Sequence, residues 1–188
     1  MHPTCREEMN LEILAIDQSY ARMDALFALL GDVYATSSHM SEAFDEKFPD
    51  PAALASEIAG ATGRPGGLVL VAEEDRRPRG YVIISPRHQA RLRHTADLHM
   101  GVHRESRGLG IGRKLVEAAL DAAASAGKVE IVYLMVRSDN LPAIRLYEAM
   151  GFDRLALLQR DTKIGDEYHD GVLMRRFVGR PPVTPIVA

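Results

Sequence analysis

Cysteine is nearly absent from this chain: Cys5 is the only one in 188 residues. A lone thiol excludes an intrachain disulfide framework and fits a reducing compartment. No apolar run approaches the length of a membrane span. The opening MHPTCREEMN carries charges but no apolar h-region, so no secretory signal is expected. A charge excess is missing too, since a net charge of −3 gives no global pull toward nucleic acid or an anionic membrane. There is no internal repeat, no low-complexity block and no linker that would separate domains. These absences point to a soluble, cytoplasmic protein. One domain is expected over residues 10–178, with an N-terminal extension over 1–9 and a proline-rich tail over 179–188.

What is present is an ordinary globular mixture, 46% hydrophobic and 26% charged. Charge is uneven along it. Acids dominate from Asp32 to Glu57, and Lys/Arg dominate from Arg87 to Lys114. Each is solvated surface by default; the sharper alternative is one region that prefers a cation and another that prefers an anion.

Periodicity orders the elements. LEILAI (11–16) reads as a strand, with Asp17 as the cap of a following helix that contains Leu26, Leu29, Leu30 and Tyr34. Residues 36–50 read as a loop or broken helix, and Asp50-Pro51 opens a helix. LVLVAEE (68–74) and GYVIISP (80–86) read as strands joined by a DRRPR loop, and residues 91–103 as a third strand with a bulge at Gly101. A helix from 113 to Gly127 follows. VEIVYLMV (129–136) then reads as a strand covered on both faces, and Asn140 caps a short helix that ends at Gly151. Two closing strands complete a mixed α/β (α+β) order.

GVHRESRGLGIGRKLVEAAL (101–120) sets Gly108, Gly110 and Gly112 directly before a good helix. Glycine weakens a helix by about 1 kcal/mol relative to alanine, so the segment is either a plain turn or a place where a ligand meets the backbone. The first amides of a helix lack internal partners and sit at its positive end. Glycines there clear a path for an anion, and Arg107 adds a forked donor. Two familiar phosphate loops fit poorly. Gly112 is followed by Arg113-Lys114-Leu115 rather than Lys-Ser/Thr, and the spacing is Gly-x-Gly-x-Gly rather than Gly-x-Gly-x-x-Gly.

Val102, Arg107, Gly110 and Gly112 fit the pattern of a strand ending in Val, four residues, then Arg/Gln-x-x-Gly-x-Gly/Ala and a helix. Downstream, NLPAIRLYEAMGF supplies Asn140, Ala143, Leu146, Tyr147, Glu148, Gly151 and Phe152. Together these two motifs resemble the GNAT superfamily of acyl-CoA N-acetyltransferases, most strictly over residues 96–152. The resemblance implies a mixed, splayed central sheet of about six or seven strands flanked by about four helices. It implies acetyl-CoA as cosubstrate, with its pyrophosphate on the amides of Arg107, Gly108, Leu109, Gly110, Ile111 and Gly112. Its pantetheine arm would lie along the backbone of Met100 and Val102, beside Asn140. Tyr147 would be the general acid that protonates the departing thiolate.

The other partner is a primary amine, which must be neutral to attack and so needs a base. His99 and Asp97 share one strand face and are the two candidates; His99 is preferred because its ordinary pKa suits proton transfer near neutrality. The acid-rich 32–57 segment makes a cationic acceptor an expectation, and a homodimer is compatible with the family. Arg104, Arg113 and Lys114 are candidates for a further phosphate contact, and Tyr168 and His169 for the border of the acceptor pocket. No metal is expected: His94, His99 and His103 do not share a strand face, and no cysteine cluster supports them. Nucleic-acid binding is not expected because the basic stretch lacks interleaved aromatics. The rival to an enzyme is a non-catalytic acyl-CoA-binding sensor or scaffold.

Overall fold

The computed structural model describes residues 10–37, 39–40 and 42–179. The expected extension over 1–9 and all of the tail but Gly179 lie outside them. The chain runs β1 (Leu11–Ile16), α1 (Met23–Thr36), α2 (Phe44–Lys47), α3 (Pro51–Thr62), β2 (Leu68–Glu74), β3 (Arg77–Pro86), β4 (Thr95–Val102), α4 (Ile111–Ala126), β5 (Ile131–Arg137), α5 (Leu141–Ala149), β6 (Asp153–Ile164) and β7 (Glu167–Phe177). The seven strands make one sheet in the order β1-β2-β3-β4-β5-β7-β6. Neighbours are antiparallel except β4 and β5, which are parallel. This is the expected mixed architecture.

Two cores hold the sheet, one on each face. Leu115, Val116, Ala119, Leu120 and Ala123 of α4 pack on Val82, Ile84, Ala96 and Leu98. On the other face Leu26, Leu29, Leu30 and Val33 of α1, with Leu54 and Ile58 of α3, pack on Val69, Val71, Tyr81 and Ile83. Strands β2 and β3 are apolar through most of their length because helices cover both of their faces. Each fully buried aliphatic side chain contributes about 1.5–3 kcal/mol.

Asp50 caps α3 by accepting from Ala53 N at 2.8 Å, as its place before Pro51 suggests. Asp17 does not cap α1. Its Oδ1 accepts from Ser19 N at 2.8 Å and from Ser19 Oγ at 2.6 Å, closing a turn of its own, and α1 begins only at Met23. The β2–β3 connection is shorter than DRRPR suggests. Glu74 pairs with Arg77, so only Asp75 and Arg76 turn, both with positive φ (50° and 62°), as a two-residue hairpin demands. Strand β5 is covered on one face only: Val132, Leu134 and Val136 enter the core, while Met135 is 45% exposed on the other.

Between β1 and α1, Tyr20 and Arg22 converge on Glu73, which is 3% exposed. Arg22 donates to Glu73 Oε1 from Nε at 2.9 Å and from Nη2 at 2.7 Å, and the Tyr20 hydroxyl donates to the same oxygen. Desolvation, with Glu73 beside it, pushes the Tyr20 phenol up to about 12. The carboxylate thereby fixes the entry to α1. Glu73→Ala leaves two part-buried donors unpaired and is expected to lower stability by about 2 kcal/mol. A fall in the urea midpoint at unchanged slope will show it; a midpoint within error of the wild type would refute it.

Candidate active site

The parallel β4–β5 pairing covers only Thr95–Asp97 against Ile131–Tyr133. Beyond it the strands diverge, and a cleft of about 560 Å³ opens between them. Backbone direction follows from one bond. His103 N donates to Arg79 O, on the β3 side, at 2.8 Å. Alternation then turns the backbone groups of Val102 and Met100 toward β5, into the opening. Val102 O is taken by Arg107 Nε at 3.1 Å.

At the mouth, a 3₁₀ turn (Arg104–Ser106) leads into α4. Gly108 and Gly110 have φ of +77° and +81°, a region open to glycine, and a Cβ on either would meet nothing within 4 Å. Gly112 differs: its Cβ would lie 3.1 Å from Met100 Cε and 3.4 Å from Leu146 Cδ2, so it serves close packing of α4 on the cleft wall. Gly110 caps α4 without a side-chain bond. Among the described residues, the amides of 108–113 have no acceptor. They form a concave row of donors at the positive end of a 16-residue helix.

The structure brings most of the expected residues to this cleft: His99, Met100, Val102, Arg107, Gly108, Gly110, Ile111, Gly112, Asn140 and Tyr147 all line it. Leu109 does not; it projects outward, 51% exposed, and can offer only its amide. The Arg107 guanidinium is not free to fork onto a phosphate. Its Nη1 donates to Thr36 O at 3.2 Å and its Nη2 to Thr36 Oγ1 at 2.7 Å. Arg113, beside the amide row, lines the cleft instead. Asn140, which lines the cleft, spends its Oδ1 on capping α5, at 3.3 Å from Ala143 N.

The two base candidates separate. Asp97 is held bidentately by Arg87, at 3.1 Å and 3.3 Å, and is not part of the cleft wall. The Arg87 guanidinium also covers the Tyr133 ring. His99 opens into the cleft on the same strand face as Gly101, whose Cβ would strike Val33 and Tyr81 at 2.7 and 2.8 Å. Gly101 is therefore a clearance for α1 and not a bulge; β3 and β4 pair without a register shift. The His99 ring is open to solvent in the cleft, but the walls beneath it still shift its pKa below the usual 6.5, helped by Lys47 and opposed by Asp97, Glu57 and Glu42.

Tyr147 lies on the inner face of α5, 8% exposed, with its ring edge-on to Phe152 at 5.7 Å. Burial pushes its phenol well above the ordinary 10. Tyr168 and His169 are not part of the cleft wall. Tyr168 sits between Arg160 and Lys163, and His169 Nδ1 is 2.9 Å from Arg137. Sequence reasoning missed Tyr34, Tyr81 and Lys47 as cleft residues. Tyr34 and Lys47 come from the consecutive helices α1 and α2 and Tyr81 from β3, and no local spacing links them. The acid-rich stretch does reach the cleft through Glu42 and Glu57, but Glu42 is paired with Lys47 at 2.7 Å. Among the described residues, no group of His, Cys, Asp or Glu is arranged to hold a metal ion.

A mixed sheet that splays between two parallel strands, with a row of free amides at the mouth of the splay, defines the class of fold. Residues 33–152 match the model of the acetyltransferase (GNAT) family, and the chain belongs to that family. It is 39% identical over 82 residues to the N-alpha-acetyltransferase RimI of Mycobacterium tuberculosis, a match that spans 44% of this chain and 48% of RimI. It is 33% identical over 102 residues to the L-amino acid N-acyltransferase MnaT of Escherichia coli, spanning 53% and 59%. The matches thus cover only about half the length of these curated relatives. A Salmonella typhimurium acetyltransferase solved with acetyl-CoA shares the fold, with a TM-score of 0.81 at 21% identity over 94% of this chain and 99% of that one.

Proposed function

We propose that the protein transfers the acetyl group of acetyl-CoA to a primary amine by direct attack. The observation that carries this reading is the β4–β5 splay, which puts an unpaired strand edge, the amide row, Tyr147 and His99 in one cleft. The amides of 108–113 take the pyrophosphate, with Arg113 as counter-charge, and the Met100 backbone and the Val102 N–H pair with the pantetheine arm like an added strand. The acetyl-CoA held by a structural neighbour and the names of the two relatives support the same chemistry.

The amine arrives from the α1 side. His99 takes its proton as nitrogen attacks the thioester carbon. The tetrahedral intermediate collapses with cleavage of the C–S bond, and Tyr147 gives its proton to the thiolate. His99 releases its proton to solvent, and Tyr147 recovers one from solvent. Glu57 lines the acceptor end and has no cationic partner among the described residues, which favours an acceptor that carries positive charge. By name RimI is an N-alpha-acetyltransferase and MnaT an L-amino acid N-acyltransferase, so an amino-acid derivative or peptide N-terminus is the acceptor class proposed.

The test is free-thiol release from acetyl-CoA with a panel of α-amines, polyamines and basic peptides, against a no-amine control. Amine-dependent release with formation of the acetylated amine is expected. Acetyl-CoA binding without release by any amine would support the rival sensor or scaffold.

A further inference from the structure

Helix α1 carries two polar side chains one turn apart, Asp32 and Thr36, and both reach the segment between β4 and α4. Asp32 Oδ2 accepts from the Arg104 backbone N–H at 3.2 Å, and Oδ1 lies 3.3 Å from Arg104 Nε. His103 Nε2 stands 3.6 Å from Oδ2. The tautomer follows from the other ring nitrogen. His103 Nδ1 accepts from Glu105 N at 3.4 Å, so Nε2 carries the hydrogen that faces Asp32. One turn further on, Thr36 receives both terminal nitrogens of Arg107, whose Nε holds Val102 O. The start and the end of the turn before the amide row are thus both tied to α1.

A carboxylate near a polyanion site is electrostatically unfavourable. Asp32 is nevertheless there, with its side chain only 17% exposed, its charge offset by the Arg104 guanidinium and faced by the Nε2–H of His103. Its bond to Arg104 N fixes the first amide of the turn, and hence the path by which the chain reaches Gly108. Gly108 and Gly110 are themselves free of neighbouring side chains within 4 Å of a Cβ, so the loop has little packing of its own to hold it. Donors aimed at an anion act only when a supporting shell holds their direction.

We propose that Asp32 is a positioning residue for acetyl-CoA: it holds the 103–107 turn so that the amides of 108–113 converge on the pyrophosphate. The proposal rests on the reading of that loop as the pyrophosphate site. Two acetyl donors separate positioning from general damage: acetyl-CoA, and S-acetylpantetheine, which lacks the pyrophosphate and the nucleotide. Asp32→Ala is expected to raise KM for acetyl-CoA about tenfold with kcat within about twofold, and to leave KM for S-acetylpantetheine unchanged. Asp32→Asn, which keeps an acceptor for Arg104 N–H, is expected to recover most of the loss.

Equal losses with the two donors, or no loss with acetyl-CoA, would overturn the proposal. Gly110→Asp tests the underlying reading, because it puts a negative charge into the row. If this variant loses the preference for acetyl-CoA while Asp32→Ala keeps it, the proposal alone falls. If Gly110→Asp keeps the full preference, the loop reading falls and the proposal with it.

Discussion

Tyr147→Phe is expected to lower kcat about 100-fold while the dissociation constant of acetyl-CoA stays within about twofold. The substitution removes only an oxygen. Tyr147 is buried and its ring is packed edge-on against Phe152, so phenylalanine fills the same space in the same rotamer. No described residue hydrogen-bonds the hydroxyl, so no internal partner is left stranded. What is lost is a donor whose bond is strongest when charge develops on sulfur, and 100-fold corresponds to about 2.7 kcal/mol of transition-state stabilisation. Burial raises the phenol's pKa, which has a sign consequence. The group stays protonated throughout the working range, so Tyr147 gives kcat no descending limb up to about pH 9. Thiol release at saturating substrates and calorimetric titration of acetyl-CoA measure the two quantities. An unchanged kcat, with solvent viscosity shown not to affect the rate, would remove Tyr147 from the mechanism.

The features legible from sequence were those that close within a few residues. Asn140 and Asp50 cap their helices through amides three positions away, and Gly110 and Gly127 bracket α4 with positive φ. Spacing alone reports such contacts. The misreadings at the site all involve partners distant in the chain. Gly101 resembled a bulge because a strand glycine often is one, but its cause is Val33 on α1 and Tyr81 on β3. Arg107 resembled a phosphate fork because it precedes the glycines, but Thr36, 71 positions away, claims it. Asp97 looked equivalent to His99 on strand alternation; only the fold puts Arg87 against one and the cleft beside the other. Strand β5 looked doubly covered because its apolar run is continuous. Met135 is exposed because the helices that cover β2–β4 on that face do not extend over β5.

His99→Ala is expected to lower kcat/KM about 100-fold near pH 7 and to change the shape of the pH profile as well. Attack needs a neutral amine and a neutral imidazole. In the wild type, log kcat/KM should climb with a slope of about two at low pH, where both groups must lose a proton, and about one once His99 is neutral. The break falls below 6.5, because the cleft walls and Lys47 disfavour the imidazolium more than Asp97, Glu57 and Glu42 favour it. In the variant only the amine's limb remains, with a slope of about one throughout. Two acceptors of different amine pKa assign the limbs: the break that moves with the acceptor belongs to the amine, and the one that stays belongs to the protein. The same depression predicts the sign of a stability effect. Below 6.5 the unfolded chain binds a proton that the folded state resists, so stability falls as pH drops through this window and is flat above it. His99→Ala should flatten that region of the thermal-melting profile. A variant that kept the lower break in kcat/KM would show that the base is another group.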